Sequence, residues 1–118
     1  MRVVIDMQGA QSESRYRGIG RYTSALVDSL LALNSNHEIV LLLNGGLRDS
    51  ADALIRRYRS QLPDNNIVVF TPLDRVAWSV PDNAVRARLM EPVREAVIEQ
   101  CAPDVLLITS LFEGYHDD

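Results

Sequence analysis

Short apolar runs alternate along this chain with longer segments in which apolar residues recur every three or four positions. Four runs are rich in valine, isoleucine and leucine, which is typical of strands buried on both faces of a parallel sheet. We predict these strands at residues 2–7, 38–43, 67–70 and 104–109. The polar residues 8–17 follow the first run without any period, and they predict an irregular loop.

Three segments have the spacing of amphipathic helices. We predict helices at residues 18–33, from 49 or 50 to about 62, and at 84–101, with Asp49 or Ser50 as the cap of the second. The expected core stripes are Ile19, Tyr22, Leu26, Leu30 and Leu33 in the first helix and Val85, Leu89, Val93 and Val97 in the third. Pro92 lies inside the third helix and predicts a kink or a break there.

The alternation of strands and helices predicts an α/β fold with a parallel sheet and helices on both faces. The 118 residues fit one domain, residues 1–118. Right-handed crossovers leave few topologies, and we expect a Rossmann-like sheet of about four strands in the order 3-2-1-4. This order makes the first and fourth strands neighbours at a topological switch point, where ligands bind beyond the carboxyl ends of the strands.

The loops after the first and fourth strands would therefore face one crevice. We expect this crevice to be surrounded by Gly18, Gly20, Ser110, Glu113 and His116. Glycines at the start of a helix let phosphate groups approach free backbone N–H groups. An ordinary glycine-containing entry into a helix explains the same pattern equally well. Glu113 and His116 are the only acid/base candidates at the crevice, and thus the catalytic candidates.

Charged and aromatic residues extend this candidate site. Arg17 and Arg21 flank the glycines, and their guanidinium groups could pair with phosphate. Trp78 lies in the long loop after the third strand. It either anchors that loop on the domain or stays exposed for an acceptor or a partner domain. Ser110 and Trp78 are therefore part of the candidate site.

Composition and missing motifs exclude several function classes. The net charge of −4 gives no basic surface for nucleic acid. No apolar run approaches the roughly 18 residues of a transmembrane segment, which predicts a cytoplasmic location. The position where a dinucleotide fingerprint requires its third glycine is Thr23, so NAD is not expected. No metal and no cofactor are expected, and the single cysteine, Cys101, is expected to be buried.

Asp6, near the end of the first strand, suggests a second class of function. A receiver-like or other regulatory binding module would use such an aspartate as its acidic centre. The chain contains no lysine, which receiver domains usually carry late in the sequence. We expect Asp6 to accept hydrogen bonds from loop N–H groups instead. A non-catalytic binding module and a structural interaction domain stay as alternatives.

Two segments resemble a known family. MRVVIDMQGAQSESRYRGIGRYTSALVDSLL resembles the amino terminus of GT-B glycosyltransferases of the group 1, or family 4, type. PDVLLITSLFEGYHDD resembles the fourth strand and following loop of the same group. Many of these enzymes are mannosyltransferases of polysaccharide assembly. The resemblance runs over nearly the whole chain and is strongest in residues 1–33 and 103–118.

The resemblance implies an active site between two Rossmann-like domains. The amino-terminal domain holds a glycan or lipid-linked acceptor, and its glycine loop, here Gly18 and Gly20, reaches the diphosphate of a GDP- or UDP-linked sugar donor. A carboxyl-terminal domain, absent from these 118 residues, holds the nucleotide and a pair of glutamates, and no metal is needed. The fragment is therefore expected to be inactive alone. The parent enzyme would be cytoplasmic, with peripheral attachment to the inner membrane as an option.

The resemblance also has a consequence for assembly. The chain stops after the fourth strand, so that strand is expected to form an exposed apolar edge. Such an edge invites pairing with another copy, and we expect self-association through it.

Overall fold

A computed structural model of the chain describes residues 1–110 and shows strands and helices in the predicted alternation. The strands are β1 (Arg2–Asp6), β2 (Glu38–Asn44), β3 (Ile67–Phe70) and β4 (Val105–Ile108). The helices are α1 (Gly18–Ala32), α2 (Arg48–Tyr58) and α3 (Ala84–Gln100). Short 3₁₀ turns lie at Gln8–Ala10, Glu13–Tyr16, Asp64–Asn66 and Pro81–Asn83.

The four strands form one parallel sheet in the order β3-β2-β1-β4. In this register Val4 of β1 lies between Val40 of β2 and Leu106 of β4. The α/β class, the parallel sheet and the Rossmann-like strand order 3-2-1-4 are therefore confirmed. β1 and β4 are neighbours at the switch point, and β3 and β4 are the edges of the sheet that residues 1–110 form.

Alternate residues of the central strands build two separate core layers. One layer joins Ile5 and Leu41 to α1 and α2, through side chains such as Val27 and Tyr58. The other layer joins Val4, Val40 and Leu42 to Phe70 of β3, to Met90 of α3 and to Val76 in the segment that follows β3. Helices thus cover both faces, which explains why the central strands are apolar at almost every position.

The predicted stripe of α1 is partly wrong. Tyr22 is 61% exposed and Leu33 71% exposed, whereas Thr23 and Val27 are fully buried. Gly20, in the first turn of α1, packs against the backbone of Arg15. The helix turns the positions of Thr23 and Val27 toward the core.

The predicted stripe of α3 is also wrong for its first three members. Val85, Leu89 and Val93 are 72%, 56% and 42% exposed, while Ala87 and Met90 are buried. Burial follows a different face of the same helix, the one that also carries the partly buried Val97 and Ile98. Helical spacing alone could not say which of two apolar faces meets the sheet.

The helix α3 runs unbroken through Pro92, which corrects the prediction of a break there. Proline removes the N–H that would bond to the carbonyl of Arg88. Arg88 and Pro92 both lie on the exposed side of the helix, so this carbonyl can bond to water instead. No helix within residues 1–110 is both long enough and apolar enough to cross a membrane.

The start of α2 differs from the prediction as well. Leu47 occupies the cap position and neither Asp49 nor Ser50 caps the helix. The Ser50 hydroxyl instead donates to the carbonyl of Leu47, at 3.0 Å. The helix ends at Tyr58 rather than near residue 62, although Leu62 is still buried in the core.

Candidate functional site

The segment after β1 is a packed structure and not the irregular loop that its polarity predicts. Gln8, in the first of its two 3₁₀ turns, is 1% exposed, and Gln11, directly after that turn, is 0% exposed. The side-chain amide of Gln11 donates to the carbonyl of Asn44 at 2.9 Å, and its oxygen accepts the Asn44 N–H at 2.8 Å. These paired bonds tie the segment to the carboxyl end of β2, and they satisfy polar groups that would otherwise be buried without partners.

Asp6 also holds the segment after β1 in place. Its carboxylate is 2% exposed, accepts the Gln8 N–H at 3.0 Å and forms an ion pair with Arg94 of α3. Arg94 also donates to the side-chain oxygen of Gln8 at 2.7 Å. The predicted structural role of Asp6 is thereby confirmed. A buried, paired carboxylate is unsuited to accept a phosphoryl group, which argues against the receiver-like alternative.

The two glycines at the start of α1 have different surroundings. A Cβ atom on Gly20 would lie 2.4 Å from the Cα of Arg15, so the backbone of the preceding turn occupies that space. Apart from its chain neighbours and the backbone of its own helix, a Cβ atom on Gly18 would meet no atom of residues 1–110 within 4 Å. Gly20 is therefore required for packing, and Gly18 is the glycine that a ligand could approach.

The N-terminus of α1 opens at this edge of the sheet. Its cap residue, Arg17, has an extended backbone and makes no side-chain cap bond, and Gly18, Arg17 and Arg21 are exposed. The first N–H groups of a helix lack partners within the helix, and together with the helix dipole they favour an anion. Arg15 is partly engaged in structure, since it donates to the carbonyl of Gln11 at 2.8 Å and to the Tyr16 hydroxyl at 2.7 Å.

The segment after β4 reaches the same place. Thr23 of α1 donates to the carbonyl of Ile19 at 2.8 Å, and its oxygen lies 2.7 Å from the hydroxyl of Thr109. Gly9 packs beneath both threonines, since a Cβ atom there would lie 3.2 Å from the Thr109 hydroxyl. This contact brings together the segments that follow β1 and β4, as the predicted strand order requires.

Of the remaining predicted site residues, two lie within residues 1–110 and two lie outside them. Ser110 is buried, while Glu113 and His116 lie outside the described residues. Trp78 is 38% exposed, and the buried neighbours Val76 and Ala77 hold its loop on the domain. Among residues 1–110, no group of three or more histidine, cysteine, aspartate or glutamate side chains could hold a metal ion.

Sequence reasoning missed Gln8, Gln11 and Arg94. Glutamines in a polar stretch resemble solvent-exposed loop residues, and Arg94 lies 88 residues from Asp6. Cys101, by contrast, is buried as predicted, and burial raises the pKa of its thiol.

The strand order and the open helix N-terminus at the switch point define a Rossmann-like α/β domain. Over 118 residues, 99% of its length, the chain is 33% identical to the serotype-specific mannosyltransferase WbdA of Escherichia coli. A second Escherichia coli protein with the same name is 28% identical over 82 residues, 69% of this chain.

The chain spans 14% of the length of the first relative, and the matched part is 10% of the second. No family model matches the chain, and no solved structure matches it. The similarity supports a fragment of a glycosyltransferase.

Proposed function

We propose that this chain is the acceptor-side portion of a GT-B glycosyltransferase of the group 1, or family 4, type. The parent enzyme would move a hexose, with mannose as our candidate, from a nucleotide sugar to a glycan or lipid-linked acceptor in polysaccharide biosynthesis. The observation that carries the proposal is the 33% identity to a mannosyltransferase along 99% of the chain. The Rossmann-like sheet supports it, because that topology places a ligand at the switch point.

The donor's diphosphate is assigned to the N-terminus of α1. Gly18 leaves the backbone accessible, and Arg17 and Arg21 are exposed beside it. Charge-assisted bonds from guanidinium groups are among the stronger hydrogen bonds to phosphate. In this proposal Gly20 acts indirectly, because its packing on Arg15 holds the helix terminus in place.

The proposal divides the reaction between two parts of a longer enzyme. The segment after β4, with Ser110, and the loop that carries Trp78 would face the acceptor, while Glu113 and His116 are the acid/base candidates. A second α/β domain would hold the GDP or UDP portion of the donor. The 118 residues alone would bind weakly and would not transfer sugar, and the parent enzyme would work in the cytoplasm, at or near the inner membrane.

An NMR titration of ¹⁵N-labelled chain with GDP-mannose and with UDP-glucose tests the donor assignment. We expect nucleotide-sugar binding to shift the Gly18 and Ile19 amide signals. The double variant R17Q/R21Q should raise the Kd by about tenfold for each arginine that contacts the diphosphate, since one charged hydrogen bond contributes on the order of 1.5 kcal/mol. The double variant R56Q/R59Q, with the same change in charge near the end of α2, is the control and should bind as the wild type does. Unshifted Gly18 and Ile19 signals with both donors would contradict the assignment.

A further inference from the structure

Helix α3 carries a second apolar face on the side that the sheet does not cover. The face toward the sheet includes Ala87, Met90 and the partly buried Val97. At about 100° per residue, a second row of apolar residues lies roughly opposite that face. The row extends over about three turns, or about 16 Å. We call it the outer stripe, and its members, all exposed, are Val85, Leu89, Pro92, Val93 and Ala96.

The exposure of the outer stripe is not that of scattered surface residues. Val85 and Leu89 are each more than half exposed. Single apolar residues on a surface are ordinary, whereas a continuous apolar patch with a charged border often forms an interaction site. Packing this row against a second helix would remove it from water. The outer stripe therefore favours a partner that presents an apolar helix face.

One border of the outer stripe is charged. Arg88, Glu95 and Glu99 lie along this border on the same side of the helix, and all three are exposed. They take part in none of the ion pairs within residues 1–110. Glu95 and Glu99 are one turn apart, and two like charges at this spacing destabilise a helix. The border therefore favours a partner with a cation opposite the two glutamates, and it disfavours an anionic membrane surface.

A second copy of α3 matches the outer stripe when the two helices run antiparallel. With a two-fold axis between Pro92 and Val93, Leu89 of each copy lies level with Ala96 of the other, so a large side chain faces a small one. A small residue at such a position lets two helices approach to the usual distance of roughly 8–10 Å. The apolar row is therefore self-complementary, as a two-fold interface requires.

The same axis brings the charged borders of the two copies together. Arg88 of one copy then lies level with the turn between Glu95 and Glu99 of the other, and symmetry repeats this contact. Each guanidinium would reduce the repulsion between the two carboxylates that it faces. The charges of the border thus complement those of a second copy, which an apolar surface without arginines would not do.

We propose that two copies of this chain associate through the outer stripes of α3, antiparallel and about a two-fold axis between Pro92 and Val93. A single pair of helices buries less surface than a standard interface, so the dimer is weak and forms at high concentration. The inference does not depend on the glycosyltransferase assignment. It also uses a surface other than the edge strand β4.

Disulfide trapping tests the arrangement of the two helices. P92C/C101A places a cysteine beside the axis and removes the buried Cys101, and it should give a cross-linked dimer in a glutathione buffer. V85C/C101A should not, because its two cysteines would be about 22 Å apart. V85C/C101A mixed with Q100C/C101A should cross-link, since these positions lie level in the antiparallel pair. Circular dichroism establishes first that each variant is folded.

S29C/C101A is the matched control for the trapping experiment, since Ser29 is exposed on α1, outside the outer stripe. It should form dimers about tenfold more slowly than P92C/C101A, because no contact raises the effective concentration of its thiols. Equal rates for these two variants overturn the inference. Cross-linking of V85C/C101A with itself also overturns it, because that result identifies a parallel pair.

Sedimentation velocity tests the charged border. Ile108→Lys is included in every protein of this series, so that pairing through β4 does not contribute. R88E should weaken the dimer by about tenfold, and R88E/E95R/E99R, which exchanges the charges, should restore it. R59E makes the same change in charge at the end of α2 and should leave the association unchanged. A series that stays monomeric, an R88E variant that associates normally, or an exchange that restores nothing overturns the inference.

Discussion

Gly18 and Gly20 are two residues apart, and the structure gives them opposite roles. Alanine at position 20 would place a methyl group 2.4 Å from the Cα of Arg15. We expect Gly20→Ala to lower the free energy of unfolding by about 1–3 kcal/mol, as overpacking usually does. Gly18→Ala should raise the free energy of unfolding by up to about 1 kcal/mol, because alanine favours a helix. Urea denaturation measures both, and equal losses in the two variants would contradict the assigned roles.

Tyr58 links two helices through a buried phenol. Its hydroxyl donates to Asp28 at 2.9 Å, and Asp28 also pairs with Arg57 at 2.6 Å. Burial, and then the bond to Asp28, raise the pKa of Tyr58 from 10.0 to about 12. A raised pKa in the folded state stabilises the fold below pH 10, and this contribution is lost as the pH rises through about 12.

Tyr58→Phe tests this link. It should lower the free energy of unfolding by about 1 kcal/mol at neutral pH, the usual net contribution of one hydrogen bond. It should also reduce the decline of stability between pH 10 and about 12. Urea titrations at a series of pH values measure both effects. Tyr22→Phe changes a hydroxyl on a side chain that is 61% exposed and should alter neither. An unchanged alkaline decline in Tyr58→Phe would exclude Tyr58 as its source.

At the scale of elements, Asp6 and Arg94 join β1 to α3 and to the 3₁₀ turn that begins at Gln8. Arg94→Met would leave the Asp6 carboxylate, 2% exposed, without its counter-ion. We expect a loss of about 3 kcal/mol in unfolding free energy, because an unpaired buried charge is costly. Arg88→Met changes an exposed arginine of the same helix and should cost less than about 0.5 kcal/mol.

The double variant D6N/R94M completes this test. Because it removes both charges, it should be more stable than the sum of the two single losses predicts. Urea denaturation of the wild type, D6N, R94M and D6N/R94M gives the coupling energy. Additive losses would mean that the ion pair does not hold these elements together.

The order of strands and helices along the chain could be predicted from the sequence, because each of them depends on the local pattern of apolar and polar residues. The apolar runs identified β1 to β4. Right-handed crossovers left few topologies, and the order expected among them is confirmed. The packed segment after β1 could not be predicted, since Gln11 is buried by Asn44, 33 residues away. The buried face of α3 could not be predicted either, because helical spacing fitted both the exposed stripe of Leu89 and the buried face of Met90.

The candidate site, too, could be predicted from the sequence only in part. The sequence located the glycines and the neighbouring arginines, and the strand order brought the β1 and β4 ends together. It could not show that Arg15 backbone fills the space beside Gly20 while Gly18 stays open, because that distinction depends on how one turn packs on another.

At the scale of the whole molecule, the edge strand β4 is where a second copy of the chain can pair with the sheet. Within residues 1–110, β4 pairs only with β1, and Ile108 is 53% exposed at its end. We propose that copies associate through this edge, which light scattering would detect as a mass that increases with concentration. Ile108→Lys should reduce the association, because an edge lysine opposes strand pairing.

Val69→Lys is the matched control for the edge proposal. Val69 is 45% exposed on β3, the opposite edge, and its replacement should leave the association unchanged. A constant monomer mass at every concentration, or an association that only Val69→Lys weakens, would contradict pairing through β4.

We propose that this chain is a working part of a glycosyltransferase. The most direct measurement is mannosyl transfer by the Escherichia coli relative after its matching segment, 14% of its length, is replaced by this chain. Thermal unfolding of each hybrid would first establish that it is folded. We expect the hybrid to transfer mannose at a rate that R17Q/R21Q lowers by about tenfold or more and R56Q/R59Q leaves unchanged. A folded hybrid without transfer, or one whose rate is the same with and without Arg17 and Arg21, would contradict the proposed function.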